Sequence, residues 1–377
     1  MRSSRQAALL FAASAFAAHA RQPPFLKALD LSYLAVLDCG GACSPFRPSA
    51  GAPPGDALAQ AAAAGINAIR LRLWVNPSTH TASPWPAGNA DYSYANLTNV
   101  GALAARARAA NLSFWLDMHY SDTWADPGHQ RQPAAWQGST FDDLVLRVAE
   151  YTRASVAALV ARGTPPAVVQ VGNEITNGLL WAAGDCAQGG QLFVASGCGT
   201  SAQQWQRLAR LVAAGVAAVR AAAPAAWVVL HTDLGNRLAS KGGAAYIAQW
   251  YETLANAGVD DYDCVGLSFY PNWGSGGPTN VALLAPVAAA LGKPIVLAET
   301  AYPWRGGGAP GPFPFSPEGQ RDYLRALLAA VAAQPYGAGV AYWGGEFYNQ
   351  ADGSGWSGLW DPNGVALPAL AEAWRQG

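Results

Sequence analysis

VVQVGNEITNGLLW (168–181) opens as an apolar strand and ends in an amide and a carboxylate, Asn173 and Glu174; PIVLAET (294–300) likewise delivers Glu299. Glutamates at the ends of two separate strands are what glycosidic cleavage with retention needs. One carboxylic acid protonates the leaving oxygen, while a carboxylate roughly 5–5.5 Å away attacks the anomeric carbon. The two roles require different environments. Arg70, at the end of INAIRLRLW, favours an ionised neighbour, and the Tyr270 hydroxyl, at the end of CVGLSFYP, can hold a carboxylate in place. Those partners suit Glu299 as nucleophile. Glu174, flanked by Val171 and Ile175, suits the proton-holding role, and Asn173 suits a sugar 2-hydroxyl. A plainer reading stands beside this one: a glutamate after a strand also serves as a helix-start carboxylate, and an arginine in a barrel mouth also serves neighbouring acids.

The elements that must position these residues form one alternation. Strand-like runs occur at 28–37, 66–74, 111–120, 167–174, 227–233, 264–271, 294–300 and 339–348, with Ala- and Leu-rich helix-like stretches between them. Eight such repeats predict a single (β/α)8 TIM barrel, an α/β fold whose C-terminal strand ends converge on one cleft. An open doubly wound sheet is disfavoured, because no glycine-rich phosphate fingerprint follows the first strand. The Pro/Gly-rich pieces all follow a strand and precede its helix, on the face where chemistry would sit. Arg70 and Arg72 share one face of their strand, as do Asp117 and His119 of theirs. His119, His231 and Asp233 read either as core polar residues or as site residues. Trp124, Trp181, Trp273 and Trp304 fall on loops and are candidate sugar platforms; Trp343 lies on a strand, where barrel filling is the alternative.

Composition narrows the partners. With 24 acidic against 23 basic residues the chain offers no basic excess for nucleic acid or an anionic membrane. Only 12% of residues are charged, against about 25% on average. The 15 Trp and 14 Tyr are a surplus whose flat faces can stack on sugar rings, although Trp serves equally in cores and interfaces. Residues 1–20, with Arg2 and Arg5 before an apolar run and Ala18-His19-Ala20 at the end, read as a signal peptide, which leaves 21–377 as the secreted catalytic domain. An oxidising destination makes cysteine pairing relevant. Cys186 and Cys198 bracket a Gly-rich insert and suggest a disulfide; Cys39 and Cys43 are spaced for a tight local ring, and Cys264 sits alone in an apolar strand. No Cys or His cluster has metal-ligand spacing, so neither metal nor cofactor is expected. A monomer acting on a polysaccharide is the expected form.

The pieces GINAIRLRLWVNP, LDMHYSDTWADPGHQ, VGNEITNGLLW, VGLSFYPNW and AETAYPW resemble glycoside hydrolase family 53, the endo-β-1,4-galactanases. They extend from the second strand to the seventh, so the resemblance covers essentially the whole mature chain. It implies Glu174 as acid/base, Glu299 as nucleophile, and Arg70, Asn173, Tyr270 and Trp343 around the reactive sugar. His119, Asp122 and Trp124 are placed beside the same subsite, and the implied substrate is the β-1,4-galactan of pectic side chains. The chain departs from the family at Ala28-Leu29-Asp30-Leu31-Ser32 and at Ala301-Tyr302. Bacterial relatives carry a calcium-binding loop after strand seven. Here that loop, WRGGGAPGPFPFSPEG, has one carboxylate, and a hard cation needs several oxygen ligands. Other β-1,4-glycanase activities (mannanase or cellulase) and a non-catalytic polysaccharide-binding barrel are the competing readings.

Overall fold

The computed structural model describes residues 23–77, 92–181, 202–308, 311–348 and 356–375. The signal-peptide reading and the Cys186–Cys198 pairing lie outside those residues.

Eight parallel strands close into a barrel in sequence order. They are β1 (Leu26–Asp30), β2 (Ala68–Leu73), β3 (Ser113–Met118), β4 (Val168–Val171), β5 (Trp227–Thr232), β6 (Cys264–Ser268), β7 (Ile295–Thr300) and β8 (Gly337–Tyr342). Each is followed by a helix: α1 (Ala57–Ala64), α2 (Leu97–Ala109), α3 (Phe141–Ala161), α4 (Ala202–Ala222), α5 (Gly243–Asn256), α6 (Ala285–Leu291), α7 (Pro317–Ala332) and α8 (Pro368–Glu372). The helices start where local chemistry satisfies their free N–H groups. Asp56 caps α1, Thr140 and Asp143 form a reciprocal capping box on α3, and Ser316 followed by Pro317 opens α7.

Strand alternation explains the layers. On β2, Ile69, Leu71 and Leu73 pack outward against the helices, while Ala68 joins the barrel interior. That interior is floored by Leu26, Trp115, Val168, Trp227, Val229, Cys264 and Val296, so two indoles fill much of the lower barrel. Above this floor the inward positions turn polar: Arg70 and Arg72, Asp117, Gln170, His231 and Ser268 are all buried. The site therefore stands on a dry, packed base.

Two expected strands are shorter than their apolar runs. The run at 28–37 stops at Asp30, because its carboxylate accepts the Ser32 amide at 3.1 Å and the Ser32 hydroxyl at 2.6 Å and turns the chain. A single helical turn, Leu34–Leu37, follows. The run at 339–348 ends as strand at Tyr342. Cys39 and Cys43 form a disulfide directly after that first helical turn, and Cys264 is a buried free thiol inside the barrel.

Candidate active site

Glu174 owes its position to an unusual backbone. β4 ends at Val171, and Gly172 takes φ +84°, a left-handed conformation open to glycine at little cost. Glu174 itself has φ +47°, which is uncommon for a residue with a side chain. A Cβ on Gly172 would lie 2.4 Å from Ile175 Cγ2, so the tight turn also depends on the missing side chain. Backbone of this kind persists where the surrounding structure over-determines it, and it clusters at active sites.

Glu299 is aimed by a different device. Val296 and Ala298 face the barrel interior, so strict alternation would send residue 299 outward. The pairing of β7 slips against both neighbours, Ser268 standing opposite Glu299 and Thr300 opposite Tyr342. The irregularity turns Glu299 into the cleft and sends the Thr300 hydroxyl to the Phe269 carbonyl, 2.7 Å away.

Both glutamates line one cleft of about 330 Å³ with Arg70, Arg72, Asp117, His119, Trp124, Asp126, His129, Asn173, Asp233, Asn236, Tyr270, Trp273 and Trp343. Arg70 is its buried hub. Its Nη2 lies 3.0 Å from Glu299 and 2.9 Å from Asp117, and its Nη1 lies 2.9 Å from Asp30. Nε donates to Gln170 Oε1 at 3.1 Å, and Nη2 also donates to Asn173 Oδ1 at 2.8 Å. Tyr270 donates its hydroxyl to Glu299 Oε2 at 3.1 Å. Burial pushes Glu299 up to about 7, with Arg70 and the Tyr270 hydroxyl pulling against it. Glu174 has no such cation. Burial and then the charges of Glu299 and Asp233 raise it well above the ordinary carboxylate range. With Arg70 and the Tyr270 hydroxyl beside it, Glu299 is the favoured seat of the negative charge, and Glu174, without a cation, is the favoured seat of the proton.

The remaining polar residues hold this pair. Burial alone would raise Asp117, but Arg70 and His119 bring it below its usual value. His119 is bridged between Asp117 Oδ2 (2.9 Å) and the Ala125 amide, which donates to Nδ1 at 3.0 Å, so its ring hydrogen sits on Nε2. Trp124 lies over the Arg72 guanidinium at 3.9 Å, with Trp343 at 6.3 Å, and both rings border the cleft. Trp273 is half exposed at the cleft edge and packs on Tyr270 at 4.4 Å.

Three expected sugar contacts are corrected. Trp181 is buried, its indole N–H bonded to the Asn177 carbonyl at 3.1 Å and its amide to the Gln130 carbonyl; it pins the loop after β3 and offers no platform. Asp122 does not line the cleft and braces loops, accepting the Asn76 amide at 2.9 Å and the Ala134 amide at 2.8 Å. Trp304 packs edge-on against Trp356, 6.0 Å away, and does not line the cleft. Conversely, Gln170, Ser268, Asp126 and His129 were not singled out in the sequence. Gln170 and Ser268 carry a usable signal: each is a lone polar residue at an inward position of an apolar strand.

The chain matches the family model described as Glycosyl hydrolase family 53 over residues 26–372. It is 32% identical over 354 residues to an arabinogalactan endo-beta-1,4-galactanase of Cellvibrio japonicus, covering 89% of this chain and 84% of that one. It is 35% identical over 297 residues to a probable arabinogalactan endo-beta-1,4-galactanase A of Aspergillus terreus, covering 74% of each. Among solved structures, a fungal beta-1,4-galactanase superposes with TM-score 0.76 at 29% identity, covering 94% of this chain and all of that one.

Proposed function

The chain belongs to glycosyl hydrolase family 53, and from that premise we propose how its cleft cuts β-1,4-galactan as an arabinogalactan endo-β-1,4-galactanase. The substrate class comes from the galactanases it resembles over most of their length. The roles of individual residues rest on the geometry of the cleft, and one observation carries them: the two glutamates share a cleft but not a cation. Glu299, held between Arg70 and the Tyr270 hydroxyl, is the nucleophile. Glu174, buried without a positive partner, is the acid/base.

In the first step a Glu299 oxygen bonds to the anomeric carbon as the C–O bond to the departing galactan breaks, and Glu174 gives its proton to that oxygen. The departing chain leaves as an alcohol and Glu174 is left as a carboxylate. In the second step Glu174 takes a proton from water, the hydroxyl bonds to the anomeric carbon, and the ester to Glu299 breaks. Arg70 offsets the charge that returns to Glu299. Asn173, fixed by Arg70 and the Ala125 carbonyl, is placed for the 2-hydroxyl. Trp124, Trp343 and Trp273 supply apolar faces for successive sugar rings.

The site needs no cofactor for these steps. Residues 1–20 have the composition of a signal peptide, and we read the mature chain as an extracellular catalytic domain. Among the described residues no helix is long and apolar enough to cross a membrane.

A host expressing the full chain tests the reading through reducing ends released from galactan, mannan, xylan and cellulose. The expected result is activity in the medium, on galactan, with oligosaccharides appearing before monosaccharide. Preference for mannan or cellulose would favour the other glycanases, and galactan binding without cleavage would favour a lectin-like barrel.

A further inference from the structure

Glu174 stands at one end of a buried chain of side chains. Its Oε1 is in very short contact with Ser268 Oγ; Ser268 Oγ lies 2.9 Å from His231 Nε2, and His231 Nδ1 lies 3.0 Å from Asn173 Oδ1. The hydrogens in this chain can be assigned from the far end. Arg70 has only donors, so the Asn173 amide atom 2.8 Å from its Nη2 is the oxygen. The other amide atom faces the Ala125 carbonyl at 2.7 Å and is the nitrogen. An oxygen therefore faces His231 Nδ1, and that nitrogen carries the ring hydrogen. Gln170 Nε2 also lies 3.1 Å from Nδ1, but its two hydrogens are taken up by oxygens, with Asp117 Oδ1 at 2.6 Å, Asn173 Oδ1 at 3.0 Å and the Gly172 carbonyl at 3.1 Å. Burial and Arg70 together keep the imidazole neutral. Nε2 is then bare and takes the one hydrogen of the Ser268 hydroxyl. The hydrogen in the Ser268–Glu174 contact is left to come from Glu174.

We propose that Ser268 and His231 are positioning residues that keep the acid/base in its acid form. His231 Nε2 claims the Ser268 hydrogen, denies it to a Glu174 carboxylate, and leaves the serine oxygen as acceptor for the Glu174 proton. The inference rests on the acid/base role given to Glu174 above. During cleavage the carboxyl turns about its last torsion, which is soft, and its hydrogen passes from Ser268 to the leaving oxygen. The Ser268 hydroxyl keeps its own hydrogen throughout, directed at His231 Nε2. Deglycosylation returns the proton from water.

Other charges act on the same groups and are common to the wild type and the variants below. Glu299, Asp233 and Asp126 face Glu174, and Tyr270 lies within reach of both glutamates. Arg70, Asp117 and His119 face His231. What the variants change is one hydroxyl: one removes it and the other frees its direction.

The sign of the effect separates this arrangement from an ordinary one. The basic limb of kcat/KM reports the acid of the free enzyme. Ser268→Ala removes the acceptor, so that limb on galactan should move down by about one pH unit, with about tenfold less activity above it. His231→Asn retains a donor towards Asn173 but loses Nε2, which frees the Ser268 hydrogen for the carboxylate; its limb should also move down. If Ser268 merely donates to a carboxylate, both substitutions move the limb up. A limb that rises or stays in place overturns the proposal. A measurement that needs no functional variant is the ¹⁵N spectrum of the histidine rings in the wild-type chain, with the His231 signal assigned by its loss in the Asn variant. Hydrogen on Nδ1 supports the chain of bonds; hydrogen on Nε2 overturns it. A wild-type chain inert on galactan overturns the functional reading and this inference with it, whereas a wild type with a normal bell-shaped profile and a rising variant limb overturns the inference alone.

Discussion

A carboxylate taken out of water costs folding energy unless a partner restores its charge. Glu299 has a partner in Arg70, but it shares that cation with Asp30 and Asp117, so three acids lean on one guanidinium. Its value of about 7 lies above that of an unfolded glutamate. The folded state then holds a proton that the unfolded state has already released, and stability falls as pH rises from about 4.3 to about 7. Glu299→Gln removes that term. We predict a variant without turnover that is nonetheless more stable than wild type at pH 8, by an amount of order 3 kcal/mol, with the difference vanishing near pH 4. Denaturant melts at the two pH values read it directly; a variant less stable than wild type at pH 8 would show that the Arg70 pairing outweighs the burial. The same shifts set the activity profile. Activity should be lost as pH falls through about 7, where Glu299 takes up a proton, and lost again at higher pH as Glu174 gives its proton up.

At the scale of the element, two local irregularities aim the two glutamates, and neither is a property of a regular strand. The turn Gly172–Glu174 can be tested by Gly172→Ala, which places a methyl in a left-handed backbone and 2.4 Å from Ile175 Cγ2. Gly51 has a similar φ of +79° with open space around it, and serves as the control. Gly172→Ala should cost about 2–3 kcal/mol in denaturant melts and lower kcat more than it raises KM, whereas Gly51→Ala should cost about 1 kcal/mol and leave kinetics alone. Equal effects at both positions would mean that the turn does not aim Glu174. The sequence made half of this legible. A glycine breaking an apolar run just before Asn173-Glu174 is visible as a strand end, as are the inward arginines of β2. The slipped pairing of β7 is not visible, because PIVLAET looks like any buried parallel strand. Nor was the early end of β1, which depends on Asp30 bonding its own chain at Ser32. Trp181 and Asp122 misled because a residue type suited to sugars was read without its hydrogen-bond partners: the indole N–H and the carboxylate were already engaged by backbone.

Across the whole molecule, a chain poor in charge gathers most of its buried charge at one end of the barrel. Asp30, Arg70, Arg72, Asp117, Glu174, Glu299 and Glu346 all lie buried at or beneath the C-terminal mouth of the barrel. Below them the interior is apolar and filled by indoles, so water is excluded from one side and electrostatic interactions in the cleft are strengthened. The barrel was readable from eight repeats, since that count and the absence of a phosphate loop left few alternatives. Which strand ends met across the barrel was readable only as convergence, because side-chain aim depends on register. The central claim, that Glu299 forms the bond to the sugar while Glu174 handles the proton, has a direct test. A β-1,4-galactobioside bearing fluorine at C2 and a dinitrophenolate leaving group needs no proton to depart but leaves a slowly hydrolysed ester. Mass mapping of the inactivated enzyme should find one glycosyl group, on the peptide carrying Glu299 and on that side chain. A label on Glu174 or elsewhere, or cleavage of galactan that releases the inverted anomer first, would contradict the account.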